Sequence, residues 1–298
     1  MRIASNTVQD NIVRQIQTLG GQTSKLQTQV ATGQRIDSAD DDPAAAGRVL
    51  SQQSELRRVE QYSLNATRAL EISQASFASL NSLKDVSDRA TEIATLGRSP
   101  SSPEALNAYA TEVNQMIEQL MQVGNSRLGN DYIFAGTAVD TPPFTATRDA
   151  NGDVTVASYV GNTTQAGIPL SEVASVTPFT NPATNQGIGD MINRLVALRD
   201  ALKAADGAAL STSQSDLLAS EDLLVSALAD NGAVQLRIEV QQHQQQSRGD
   251  NLVALVQGET AADLPDSIVR LNQSQTAYQA ALQSAANIMR ISLLDYIK

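Results

Sequence analysis

The chain has 298 residues, a net charge of −11, no cysteine, no tryptophan and a single histidine, and only 3% of it is aromatic. The absence of cysteine excludes disulfide staples, thiol nucleophiles and thiolate metal sites, and the acidic balance argues against nucleic acid or an anionic membrane as the main partner. With so few aromatic anchors a thick globular core is not expected. Ala, Leu, Val and Ile supply the apolar content instead, and these suit thin seams between helices.

The opening residues, Met1 to Asn6, turn polar at once, so a cleaved secretory signal is not expected. No stretch approaches the roughly 20 apolar residues of a membrane span. Ile12, Ile16, Leu19, Leu26 and Val30, with Thr23 completing the register, then follow steps of four and three, the seam of a coiled coil. Gly20-Gly21 is expected to interrupt this helix and leave it dependent on a partner.

Asp42-Pro43 reads as an N-cap followed by proline at the first helical position. The helix it opens is predicted to reach about Leu96, which at ~1.5 Å per residue is about 80 Å. Val49, Leu56, Leu70 and Phe77 recur along it at multiples of seven. Asp85/Arg89 and Lys84/Asp88 are i,i+4 pairs for its exposed side. Ser102-Pro103-Glu104 caps a further helix with Leu106, Tyr109, Val113, Leu120 and Val123 on one face.

Residues 132–187 are rich in Thr, Pro, Gly, Asn and Val. Asn151-Gly152, between Phe144–Thr147 and Val154–Ala157, is a hairpin signal. Helical periodicity returns from Ile188 to Ala205 and from about Ser213 into the 250s. The last segment repeats the coiled-coil pattern at Leu264, Ile268, Leu271, Tyr278, Leu282, Ala285 and Met289, with Gln275 at its polar step, in a helix running to Ile297. The expected fold is mainly α: an elongated antiparallel helical bundle with terminal coiled-coil helices and a small β-rich insert. Its expected parts are residues 1–42 (coiled-coil helix and turn), 43–131 with 188–263 (helical rod), 132–187 (β-rich outer insert) and 264–298 (C-terminal coiled-coil helix).

No catalytic constellation emerges. His243 lies in a run of glutamines without an acidic partner and reads as a solvated helical histidine, and one histidine leaves no multi-histidine metal site. Asp40-Asp41-Asp42 lacks the alternating carboxylates, central glycine and terminal glutamate of a calcium loop, and capping explains these acids more simply. Gly33-Gln34-Arg35 and Gly129-Asn130-Asp131 read as isolated turns rather than phosphate loops, and no Gly-x-Ser-x-Gly elbow is present. No enzyme activity, cofactor or metal is expected.

Four parts of the chain carry a resemblance. Ala31-Thr32-Gly33-Gln34-Arg35-Ile36 followed by Asp41-Asp42-Pro43-Ala44 resembles the turn between the first two helices of the flagellin-like family of axial proteins. Ser292-Leu293-Leu294-Asp295-Tyr296-Ile297 is similar to that family's C-terminal signature. Asn125, Gly129 to Thr137 and Pro143-Phe144 resemble the family's hook-associated junction members more than flagellin itself, as does the opening Met1-Arg2-Ile3. Two features depart from the pattern: Pro265, where the terminal helix of relatives is regular, and the segment after Gly161.

The resemblance implies an extracellular structural subunit, exported without a cleaved signal through the flagellar type III machinery with a chaperone. It also implies self-association in a helical or ring assembly, with another hook-associated protein and flagellin as neighbours, and no nucleic-acid or membrane partner. The alternatives are flagellin itself or a soluble coiled-coil scaffold. The subunit interface is then expected at Ile12, Ile16, Leu19, Leu26, Val30, Ile268, Leu271, Tyr278, Leu282, Met289, Leu293 and Leu294.

Overall fold

Capping chemistry sets the helix boundaries. Asp42 Oδ1 accepts from the Ala45 N–H at 3.0 Å, and Pro43 opens α2 (Pro43–Gly97) at a position whose N–H would be unpaired in any case. Ser102 does the same for α3 (Pro103–Gly124), and Asn181, through the Thr184 N–H at 2.7 Å, for α4 (Pro182–Ala204). Pro265 causes no break, because it falls in the first turn of α6 (Leu264–Tyr296), where Asp263 accepts from the Asp266 N–H. The remaining helices are α1 (Arg2–Thr32) and α5 (Gly207–Thr260). This computed structural model describes residues 2–99 and 101–296, with side-chain surroundings for 10–99 and 101–287.

The chain divides into two compact units, residues 1–58 with 248–298, and residues 59–247. In the first, α1 packs along α6. α1 runs unbroken through Gly20 and Gly21, which corrects the expected interruption. Each glycine costs a helix about 1 kcal/mol relative to alanine, but packing on α6 outweighs that preference, and Gly20 sits directly under the Tyr278 ring.

The second unit holds the main core. α2, α3, α4 and α5 contribute Leu80, Leu83, Ile93, Val113, Ile117, Leu120, Ile188, Leu195, Leu217 and Leu224, among others. Three short antiparallel pairs lie between α3 and α4 in sequence: β1 (Arg127–Leu128) with β2 (Asp131–Tyr132), β3 (Phe144–Arg148) with β4 (Val154–Tyr159), and β5 (Ile168–Pro169) with β6 (Ser175–Val176). The β3–β4 hairpin forms where Asn151-Gly152 marks it, in a wider loop than a two-residue turn. Asp149 Oδ1 accepts from the Asn151 and Asp153 N–H groups, and Gly152 takes the positive φ of +90° that closes the bulged end.

The segment 132–187 differs from an appendage in one respect that matters. Ile133, Phe134, Phe144, Val154 and Ala157 lie in the same apolar core as the helices, and Leu170 and Val176 form a second cluster with Ala66 and Ala69 of α2 and Ile238 of α5. The change in composition marks where the chain stops being helical. It does not mark an edge in the packing.

Buried polar groups tie the helices together. Ser73 of α2 donates to Asn231 Oδ1 of α5 at 3.0 Å, and Gln235 bridges back to the Ser73 carbonyl and to Asn231. Arg199, buried on α4, donates to Asn114 Oδ1 of α3 and to the Val154 carbonyl of β4. Lys84 and Asp88 pair at 2.7 Å as expected, whereas Arg89 passes over Asp85. It forks onto Glu112 of α3 and also reaches Glu92, because the two-pronged carboxylate geometry suits its guanidinium better.

Candidate subunit interface

Along α1, Ile12, Ile16, Leu19, Leu26 and Val30 are half-buried, and Thr23 is buried. The six form the stripe read from their four-three spacing. Thr23 Oγ1 lies 2.8 Å from Ser274 Oγ across the seam and also donates to the Leu19 carbonyl, so the polar step is satisfied. Leu19 and Leu26, with Ser274 and Ala277 of α6, line an open groove of about 450 Å³.

α6 is rotated from the expected register. Its face toward α1 carries Ser267, Leu271, Ser274, Tyr278, Ala281 and Ala285, in steps of four and three. Leu271 and Tyr278, both in the heptad pattern of this helix, lie on that face. Ile268 and Leu282 are exposed at 45% and 43%, as is Leu264 at 42%. These three share an adjoining stripe that α1 does not cover. The side chains of Met289, Leu293 and Leu294 lie outside the described residues.

Sequence reasoning missed Ser267, Ser274 and Ala281. The signal was present as small residues at intervals of seven, interleaved with Leu271, Tyr278 and Ala285. Small side chains let the two helices approach, and the Tyr278 ring occupies the space that Gly20 leaves.

Polar contacts close the same unit. Gln34 and Ala261 form an antiparallel bridge, with the Arg35 N–H on the Thr260 carbonyl and the Ala262 N–H on the Gly33 carbonyl. Arg48 grips Glu259 with two bonds, of 2.9 and 2.8 Å, and Arg35 reaches both the Glu259 carbonyl and Asp42. Asp41 accepts from Lys25 at 2.6 Å and from the Asp37 and Ser38 N–H groups. The Lys25 bond, followed by these two amides, holds the Asp41 carboxyl at about 2, well below its ordinary value. The Ala45 N–H lowers Asp42, and Arg48 lowers Glu259.

These groups thus favour the folded turn when ionised, and their contribution is fully present above an unfolded carboxylate pKa of about 4. It declines as pH falls through the depressed folded values, toward 2 for Asp41. Amide hydrogen exchange at Asp37 to Ala45 is expected to accelerate relative to the α3 core amides between pH 4.5 and pH 2.5, and Lys25→Met, which lets the folded Asp41 value rise toward the unfolded one, is expected to make that acid-dependent acceleration smaller and complete at higher pH.

The single histidine, His243, is exposed on α5. Among the described residues no group of three or more His, Cys, Asp or Glu is placed to hold a metal ion, and no helix is long and apolar enough to cross a membrane. A cavity of about 310 Å³ beside Arg68, Asp131 and Tyr132 holds an ion pair, Arg68–Asp131 at 3.3 Å, and no nucleophile–base pair.

The residues resembling hook-associated proteins have a shared structural role. Asn125 brackets the Phe144 main chain, donating to its carbonyl at 2.9 Å and accepting from its N–H at 3.0 Å. Gly124 leaves room for the Phe144 ring, which tilts against Tyr159 with centroids 5.4 Å apart. The Tyr159 hydroxyl donates to the Phe134 carbonyl, and Gly136, at φ +65°, lies against the Asn162 carbonyl. Arg127 stacks 4.1 Å over the Tyr132 ring.

Comparison with known proteins agrees with these features. Residues 3–138 match the bacterial flagellin N-terminal helical region. Flagellar hook-associated protein 3 of Salmonella typhimurium is 29% identical over 146 residues, which are 48% of this chain and 46% of that protein. The match thus spans about half the length of that curated relative. A Vibrio parahaemolyticus structure described as a flagellar hook-associated protein superposes with a TM-score of 0.66 at 15% identity, covering 74% of this chain and 99% of that one. The flagellar junction protein FlgL of Legionella pneumophila superposes with a TM-score of 0.53 at 13% identity, covering 72% and 100%. At such identities these two structures speak to the fold.

Proposed function

We infer that this chain, a flagellin-like protein of the FlgL type, is a non-enzymatic structural subunit of the bacterial flagellum and acts as an adaptor at the hook–filament junction. The observation that carries this reading is the α1–α6 pair with an uncovered apolar stripe beside its seam. The seam itself is consumed within the subunit, and Leu264, Ile268 and Leu282 remain for a neighbouring subunit. The bracketed Asn125–Phe144 unit and the Tyr132–Thr137 stretch favour the junction type, since these are residues that resemble hook-associated proteins.

In this reading the subunit reaches the cell exterior through the flagellar type III export machinery, accompanied by a chaperone. It assembles with copies of itself between another hook-associated protein and flagellin. Residues 1–42 and 264–298 serve assembly, residues 43–131 with 188–263 form the helical body, and 132–187 supplies outward-facing surface around its buried anchors. A second reading, a filament subunit, has support from the match over residues 3–138, which is to a flagellin region.

Deletion of the gene separates the two. Loss of an adaptor leaves hooks without filaments and releases flagellin into the medium. Loss of flagellin leaves bare hooks with no flagellin released, and intact filaments would refute both. Complementation then tests the stripe. Leu282→Asp is expected to leave the thermal melt unchanged and abolish filament attachment. Leu271→Asp, in the seam, is expected also to reduce helicity, since burying an unpaired charge costs several kcal/mol, on the order of 3. Normal filaments from Leu282→Asp would remove this stripe from the interface.

A further inference from the structure

The sequence holds two Asn-Gly pairs, Asn151-Gly152 and Asn231-Gly232. Asparagine is thermally labile, most of all before glycine, whose missing Cβ lets its amide nitrogen approach the carboxamide carbon. The structure gives the two pairs opposite surroundings. Asn151 and Gly152 are exposed at the tip of the β3–β4 hairpin. The Asn151 N–H donates to Asp149 Oδ1 at 2.9 Å, and among the described residues nothing bonds its carboxamide. The Gly152 N–H donates to the Asp149 carbonyl at 3.1 Å, in a turn open to solvent.

Asn231 has the same neighbour and none of this freedom. It is 6% exposed on α5, and its Oδ1 accepts from Ser73 Oγ at 3.0 Å and from Gln235 Nε2 at 2.9 Å. Gly232 lies inside the helix, so its N–H is engaged along the helix axis. The related pair Asp206-Gly207 is exposed, but Asp206 Oδ1 is held by the Ala208 and Ala209 N–H groups, at 2.9 and 3.2 Å.

We propose that Asn151 is a self-modification site, converted without an enzyme to aspartate and isoaspartate through a cyclic imide with Gly152. The Gly152 amide nitrogen gives its proton to solvent and bonds to Cγ of Asn151, and the Cγ–Nδ2 bond breaks as ammonia leaves. Water then opens the ring. Addition at Cγ restores the ordinary peptide link, with aspartate at 151. Addition at the main-chain carbonyl carbon leaves the chain running through the side chain, one backbone atom longer. Nothing is oxidised or reduced: one water enters and one ammonia departs.

The hairpin allows the ring to close and registers the result. Bending the tip into the reacting shape disturbs the bonds to Asp149, whereas Phe144, Val154 and Ala157 hold the strands in the core. Local opening of this kind needs no unfolding of the helices. The longer backbone moves Gly152 away from the Asp149 carbonyl and from Arg148, which donates to the Gly152 carbonyl at 2.8 Å. A new carboxylate also joins Asp149 and Asp153. The tip is loosened and made more acidic, and the core is left alone.

Purified full-length protein, folded or in denaturant, is held at neutral pH and digested with trypsin, which puts Asn151 and Asn231 on separate peptides. Electron-transfer mass spectrometry then tells isoaspartate from aspartate. In denaturant the two asparagines are expected to convert at rates within about threefold of each other. In the folded protein Asn151 is expected to stay within about tenfold of its denatured rate, with isoaspartate exceeding aspartate. Asn231 is expected to slow at least a hundredfold on folding. Gly152→Ala is expected to slow conversion at 151 at least tenfold, and the converted protein is expected to melt with the fresh one.

An intact Asn151 in folded protein, under conditions that convert the denatured chain, overturns the proposal. So does equal conversion at 151 and 231 in the folded state. Aspartate without isoaspartate would mean direct hydrolysis of the carboxamide and overturns the cyclic route. None of these outcomes bears on the junction reading, which the deletion phenotype and Leu282→Asp test separately.

Discussion

Phe144→Ala is expected to destabilise the unit of residues 59–247 by about 3–5 kcal/mol, the usual cost of emptying a buried aromatic site. Phe144 is 2% exposed and fills the space above Gly124, whose missing Cβ would otherwise stand 2.8 Å from the ring. Truncation leaves a void that neither the bracketing Asn125 nor the α3 backbone can close. For a unit of this size the melting temperature is expected to fall by roughly 10 °C, read by circular dichroism at 222 nm. Replacing residues 138–186 with a Gly/Ser linker removes Phe144, Val154, Ala157, Leu170 and Val176 together, and is expected to cost more than the single substitution. A melt unchanged by Phe144→Ala would make the strands an ornament on the helices after all.

Gly136→Ala is expected to be comparably damaging despite adding one carbon. Gly136 has φ +65°, where an L side chain costs about 1–2 kcal/mol. An added Cβ would also stand 2.3 Å from the Asn162 carbonyl oxygen, a backbone atom that cannot rotate away. The Ala135–Asn162 hydrogen bond and the Asn162–Thr137 side-chain bond must then give. Gly152→Ala is the control. It shares a positive φ but meets nothing within 4 Å, so only the conformational part of the cost is expected. Denaturant midpoints of the two variants measured side by side separate strain from collision, and equal midpoints would show that Asn162 yields freely.

Both positions show what a sequence reveals and withholds. Helices with strong caps were readable: Asp42-Pro43, Ser102-Pro103 and the seam from Ile12 to Val30 all form as their chemistry dictates. The α6 register was not, because periodicity ranks faces by apolar size. Leu264, Ile268 and Leu282 outrank Ser267, Ser274 and Ala281, yet the smaller set faces α1, since close approach and the Tyr278 ring decide the contact. β1, β2, β5 and β6 have two residues each, too few for any alternation to appear. Arg199 gave no sign of burial, because its partners, Asn114 and the Val154 carbonyl, are distant in sequence. Of the candidate interface, the α1 half and Leu271 and Tyr278 were legible as a seam within the subunit. Composition also hid how deeply the Thr- and Pro-rich segment is anchored, since its buried apolar side chains are scattered singly among Thr, Pro, Gly and Asn and barely move an average.

The Ser73–Asn231–Gln235 layer has a mechanical consequence. Sliding α5 past α2 by one turn, about 5.4 Å, would draw Asn231 away from Ser73 and strand polar groups among apolar neighbours, each at about 1–3 kcal/mol. An all-aliphatic seam would creep under load through many nearly equal positions. This one has a detent: below a threshold force the pair stays indexed, and on release it returns to the same notch.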